Sequence, residues 1–86
     1  MIIEFHKNFD KNYQKLTKKI QKKVDDSLLK FTQDPFYKTL KNHALRGRMQ
    51  TKRAFWVTGD VRVIFEEKNN YYIVMMLNVG KHNQVY

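Results

Sequence analysis

Residues 53–79, RAFWVTGDVRVIFEEKNNYYIVMMLNV, decide the fold. Apolar side chains recur here with a period of two, the spacing that sends alternate residues to opposite faces of a strand. Strands are predicted over Arg53–Thr58, Val61–Glu67 and Tyr71–Val79, joined by Gly59-Asp60 and by a turn around Asn69-Asn70. Two connections this tight make an antiparallel meander. The last run is apolar on both sides, which predicts a central position in the sheet.

Upstream the period changes. Ile2-Ile3-Glu4-Phe5 reads as a short first strand, after which Phe9, Tyr13, Leu16, Ile20, Val24, Leu28 and Phe31 fall at steps of three and four, the spacing of one helical face. Asn8 is the expected N-cap, with Asp10 in the first turn where the helix dipole favours it. A break at Leu16-Thr17-Lys18, with Thr17 capping the second piece, predicts a helical hairpin. Asp34-Pro35 ends it, because the residue before a proline is pushed out of the α region. Lysines 11, 15, 18, 19, 22 and 23 lie mostly off the apolar stripe and form a solvated face. Phe36 to Thr51 is irregular, anchored by Leu40 and Leu45, with Gly47 permitting a turn. The expected architecture is therefore α+β, a single domain over residues 1–86 in the order β-α-α-β-β-β. An antiparallel sheet carries the helical hairpin on one face, and a functional site belongs on the other.

The chain has 86 residues and a formal net charge of +9, enough for one modest core and one strongly basic surface. That surface attracts nucleic acid, an acidic protein or an anionic membrane. There is no cysteine, so disulfides, thiolate zinc sites and cysteine nucleophiles are excluded. Neither an export signal nor a membrane span is visible, and a cytoplasmic location is expected.

Three positions draw attention as chemistry. Alternation on the Val61–Phe65 strand puts Arg62 and Ile64 opposite Val61, Val63 and Phe65. A guanidinium in mid-sheet is costly unless paired or facing a wet cleft; a salt bridge to Asp60 or Glu66 and a phosphate clamp both satisfy it. His43 lies in the loop KNHALRGR, and His82 in GKHNQ after the last strand, so the two flank one sheet face with an arginine between them. Imidazoles take and return protons near neutral pH. His6 reads as polar surface. No His-x-x-x-His spacing or acidic cluster suggests a metal site, and no glycine-rich phosphate loop is present, so neither metal nor cofactor is expected.

The order of strand, lysine-rich helical hairpin ending in Asp-Pro, NHALRGRMQ, FWVTGDVRVIFE and LNVGKHNQVY resembles the RelE/ParE toxin superfamily. Within it the chain is most similar to the YafQ-like and RelE-like messenger-RNA interferases of type II toxin–antitoxin modules. The resemblance runs over essentially the whole chain and implies a RelE-like microbial RNase fold. It also implies a ribosome-dependent endoribonuclease that uses no metal, leaves a 2′,3′-cyclic phosphate and a 5′-OH, and is silenced by a cognate, acidic antitoxin. Position by position, His43 matches a candidate base and Asp60 an acidic turn residue that assists a histidine. Arg62 matches the arginine set against the scissile phosphate, and His82 a candidate acid. Tyr86 matches a C-terminal aromatic that stacks on a base or aids proton transfer. Arg46, Arg48 and Lys81 would grip backbone phosphates. One departure stands out: Trp56 replaces a further YafQ-like histidine and can stack on a nucleobase but cannot act as base. Lys52 and Arg53 match the RelE-like strand lysines only loosely.

Two other functions fit the same sequence. A ParE-like poison of DNA gyrase shares the superfamily without the histidines. A nonenzymatic module binding RNA or an acidic protein would use the basic face alone, and its binding would weaken with salt.

Overall fold

The computed structural model describes residues 1–85, with the backbone alone for residue 84. The chain forms β1 (Ile2–Phe5), α1 (Lys7–Gln14), α2 (Lys18–Gln33), β2 (His43–Ala44), β3 (Arg53–Trp56), β4 (Val61–Lys68), β5 (Ile73–Lys81) and α3 (His82–Val85). The strands make one five-stranded sheet in the order β1-β5-β4-β3-β2.

The helix boundaries follow local chemistry. Thr17 caps α2, its hydroxyl accepting the Ile20 amide at 3.3 Å, and Asp34 closes the helix with an extended ψ of 103°. α1 begins earlier than its sequence suggests. His6, not Asn8, is the N-cap, and its Nδ1 accepts the Asn8 amide at 3.0 Å.

Three features of the sheet depart from the meander expected. β1 runs parallel to β5, pairing Ile2 with Ile73 through Phe5 with Met76, so the sheet is mixed. The helices carry the chain from β1 to the far edge of the sheet, and the run β3-β4-β5 then brings β5 back beside β1, so no tight turn links these two strands and they are free to pair in parallel. β5 is interior, but β4 is the middle strand. The loop read as irregular contributes a strand, β2, at the far edge, where His43 pairs with Ala54.

Turn chemistry sets the strand ends. β3 stops at Trp56 because the Thr58 hydroxyl accepts the Asp60 and Val61 amides at 3.1 and 3.0 Å, which closes a wider turn than Gly59-Asp60 alone. β5 starts at Ile73 because Asn69, Asn70 and Tyr71 all have left-handed backbones, φ 55°, 55° and 68°. Tyr71 is held there by its amide donating to Glu67 Oε1 at 2.8 Å and by ring packing on Phe31, Phe36 and Phe65. The register of β4 against β5 shifts between Ile64 and Phe65, a bulge that leaves Leu77 as the extra residue.

The core lies between the helices and one sheet face. Phe31 of α2 stacks on Phe55 and meets Phe65 edge-on, both at 5.0 Å between centroids. Val24, Val63, Val74, Met76, Val79 and Leu40 complete it. On the opposite face sits a smaller cluster of Ala54, Ile64 and Val85, with Leu45, Met49 and Leu77 at its margin. Val85 reaches it because α3 turns back over the sheet. Among the described residues, no helix is long and apolar enough to cross a membrane.

Candidate active site

The uncovered face is built by register. Trp56 of β3 pairs with Arg62 of β4, and Arg62 in turn with Gly80 of β5. Cross-strand partners share a face, so the indole and the guanidinium lie side by side, while position 80 adds no side chain to crowd them. One step along β3, Ala54 pairs with His43 of β2, which brings that imidazole to the same face. β5 then ends at Lys81, and His82 begins α3. The His82 amide donates to the Asp60 carbonyl at 2.9 Å, which ties the tail to the β3–β4 turn.

Lys41, His43, Trp56, Arg62 and His82 line one cleft of about 410 Å³. Arg62 is only 7% exposed. Its Nη1 donates to the carbonyls of Thr58 at 3.0 Å and Val61 at 3.4 Å, and its guanidinium carbon lies 4.2 Å from the Trp56 ring centroid. Neither Asp60 nor Glu66 forms an ion pair with it; Glu66 instead accepts from the Thr51 hydroxyl at 3.2 Å. Of the two ways to satisfy this buried charge, the salt bridge is therefore the one the structure rejects. Among the described residues, backbone carbonyls and an indole face orient the guanidinium and no carboxylate neutralises it, an arrangement suited to an anion.

His43 Nδ1 lies 2.8 Å from the Lys41 carbonyl. A carbonyl only accepts, so Nδ1 carries the proton and, in the neutral ring, Nε2 carries the lone pair. Lys41 itself has a left-handed backbone, φ 49°, and its ammonium sits 5.0 Å from the Trp56 centroid. Sequence reasoning passed over this residue, because nothing in the spacing of a lysine-rich chain distinguishes it.

Other expected residues lie elsewhere. Asp60 and Lys81 line a separate cleft of about 620 Å³, between the α1–α2 corner and the β3–β4 turn, together with Lys15, Leu16 and Ile20. Lys81 pairs with Val61, on the helix side of β4, so its register turns it away from Arg62. Asp60 meets the site through its backbone carbonyl. Arg53 shares the face of Phe55: its Nε donates to Asn42 Oδ1 at 2.8 Å and its guanidinium lies over Phe36. It holds the loop and does not reach the cleft. The signal was in the alternation, since Arg53 stands two residues before Phe55. Arg46 and Arg48 are exposed beside Leu45 and Met49, and Lys52 lines a hollow with Ile64 and Leu77; these three are on or near the uncovered face but outside the cleft. Tyr86 lies outside the described residues. No group of three or more His, Cys, Asp or Glu among the described residues is placed to hold a metal ion.

A helical hairpin over one face of a five-stranded mixed sheet is the fold of the RelE/YafQ-like toxins. The chain belongs to the family described as "Bacterial toxin of type II toxin-antitoxin system, YafQ", whose profile matches residues 1–86. Among solved structures it is similar to YafQ from E. coli strain BL21(DE3), with a TM-score of 0.82, 17% identity, and coverage of 98% of this chain and 96% of that one. A YoeB/ParE toxin from Agrobacterium tumefaciens matches with a TM-score of 0.79 and 16% identity over 95% and 99% of the two chains. The E. coli DinJ–YafQ toxin–antitoxin complex matches with a TM-score of 0.77 and 19% identity over 98% and 94%. No curated protein matches the sequence significantly.

Proposed function

We propose that this toxin is a ribosome-dependent messenger-RNA endoribonuclease that works without a metal ion. The observation that carries it is the convergence of His43, Arg62 and His82, from three separate elements, on one cleft.

The chemistry is transesterification followed by departure of the 5′-oxygen. His43 Nε2 takes the proton from a ribose 2′-OH, and that oxygen attacks the adjacent phosphorus to form the new O–P bond. Negative charge builds on the phosphorane oxygens, and the Arg62 guanidinium, already oriented by two carbonyls, binds them without reorganisation. His82 gives a proton to the 5′-oxygen as its bond to phosphorus breaks. The products are a 2′,3′-cyclic phosphate and a 5′-OH, with one proton taken up by His43 and one released by His82. Trp56 offers a face on which a flanking base stacks, an interaction of about 1–3 kcal/mol. Tyr86 enters this reading only through the family resemblance, as an aromatic able to stack on a base or aid proton transfer.

A cognate antitoxin is the expected partner. The DinJ–YafQ complex and the RelBE2 toxin–antitoxin complex from Mycobacterium tuberculosis are relatives in the same fold. With a net charge of +9, an acidic antitoxin segment covering the cleft is the electrostatic complement. A cytoplasmic site of action follows from messenger RNA on ribosomes as substrate.

Cell-free translation tests the proposal. Adding the toxin should arrest synthesis and cut the message within the translated region, leaving the termini named above, and purified antitoxin should restore both. Arrest with the message intact, or supercoiling lost with DNA broken, would overturn it.

A further inference from the structure

Lys41 combines three features that a solvated surface lysine does not need. Its φ of 49° and ψ of 44° lie in the left-handed region, which a long L side chain enters at an energetic cost. Its carbonyl accepts the His43 Nδ1 proton, so the left-handed turn selects the imidazole nitrogen that is left to act as base. Its ammonium and the Arg62 guanidinium are drawn to the same indole, at 5.0 and 4.2 Å from the centroid.

Two cations gathered on one ring repel each other, and among the described residues no Asp or Glu lines the cleft to offset them. A bound anion does. Arg62 offers a planar fork that suits two phosphate oxygens, whereas an ammonium is a compact charge on a flexible stem that follows the oxygens as they move. The cleft is narrow in chemical terms: an aromatic face for a base, an imidazole for a hydroxyl, and two positive groups for the phosphate that links them. A single-stranded RNA phosphodiester satisfies all of these at once, and a carboxylate side chain only the charge.

Building on the nuclease reading above, we propose that Lys41 is a second ligand of the substrate phosphate, held by a left-handed turn that also presents His43 Nε2 to the ribose. Arg62 and Lys41 then contact different phosphate oxygens, both beside the Trp56 ring.

Trp56 is the chain's one tryptophan, so its fluorescence reports occupancy of this cleft. The probe is a short single-stranded RNA carrying a 2′-deoxy nucleotide at the scissile position, which binds but cannot be cut. Glycine adopts the left-handed backbone readily, so Lys41→Gly deletes the ammonium while sparing the turn that holds His43. Lys41→Gly and Lys41→Met should weaken binding about 10-fold and lower the slope of log K against log salt by about 0.7. Lys41→Arg should stay within about threefold of wild type, and Lys22→Met, on the far side of α2, should change neither quantity. A merely structural role would leave the salt slope untouched. If Lys41→Gly binds the probe as tightly as wild type with the same slope, the assignment of Lys41 falls while RNA binding stands. If cell-free translation arrested by the wild-type protein leaves the message intact, the nuclease reading falls and takes this one with it.

Discussion

On one side of β4, Val63 and Phe65 are fully buried against Phe31; on the other, Arg62 lies against Trp56, paired with neither Asp60 nor Glu66. The same pair of strands builds both surfaces. Phe55, Val63 and Phe65 supply the helix-covered face, and Ala54, Trp56, Arg62 and Ile64 the uncovered one. The first is a dry aromatic cluster whose burial favours folding. The second keeps a charge that folding alone would not select, because desolvating a cation is unfavourable. A period of two therefore separates stability from chemistry on alternate residues of one strand. Substitutions should separate the same way.

The largest effect belongs to the covered face. Phe31→Ala should destabilise the protein by about 3–5 kcal/mol in urea denaturation, because three aromatic rings lose their shared neighbour. The fraction that stays folded should cut RNA at the wild-type rate per molecule; a lower rate would mean the two faces are coupled. Arg62→Met probes the other side. Cleavage should fall about 10²–10³-fold while the urea midpoint barely moves, and a collapse of the midpoint would make Arg62 a structural residue.

His43→Ala and His82→Gln should each slow cleavage about 10²-fold and act on opposite limbs of the pH–rate profile. Losing the base removes the rise in rate on the acid side, and losing the acid removes the fall on the alkaline side. If both variants flatten the same limb, the assignment of roles is wrong.

Val85 sharpens the boundary between the faces. It is 8% exposed and packs on Ala54 and Ile64, so the tail that carries His82 is anchored in a small core of its own. Val85→Ala should lower stability by about 1–2 kcal/mol and reduce cleavage as well, by loosening α3. Cutting off the last five residues would remove this anchor with His82, so truncation does not isolate the chemistry of the tail, and His82→Gln does.

The smallest effect lies between the two helices, at the margin of the covered core. Tyr13 donates its hydroxyl proton to Asp25 Oδ1 at 2.8 Å, and this hydrogen bond, with burial and the carboxylate's charge, raises the phenol above its ordinary value of 10.0. The folded state then holds the proton more tightly than the unfolded chain. The bond's contribution is full below about pH 10 and fades as the pH rises past the folded-state value. Thermal melts across that range should show a slight alkaline loss that Tyr13→Phe abolishes.

Much of the site was legible because its strongest rule is local. Alternation alone puts Arg62 opposite Val63, and a threonine before a helical stripe or an aspartate before a proline marks a helix end without knowledge of the rest. The convergence of His43 and His82 on Arg62 was legible from order along the chain once a sheet was assumed. Parity also held the correction for Arg53, which shares the face of Phe55. Other features had no local signature. The bulge at Leu77 depends on how β5 meets β4, and with it goes the side on which Lys81 emerges. The left-handed backbone of Lys41 is imposed on a residue that does not prefer it, so no propensity predicts it. Asp60 was placed by its carboxylate, whereas its backbone carbonyl is what meets the tail.

By itself, then, the sequence determined the periods of its strands and helices, the excess of positive charge and the set of groups able to move protons, because these depend on near neighbours and composition. Only the tertiary structure decided which of those groups share a cleft, that β1 lies parallel to β5, and that the Arg62 charge is oriented by carbonyls and an indole and not by Asp60 or Glu66. Such outcomes depend on strand register and on contacts between residues far apart in the chain, which no local pattern encodes.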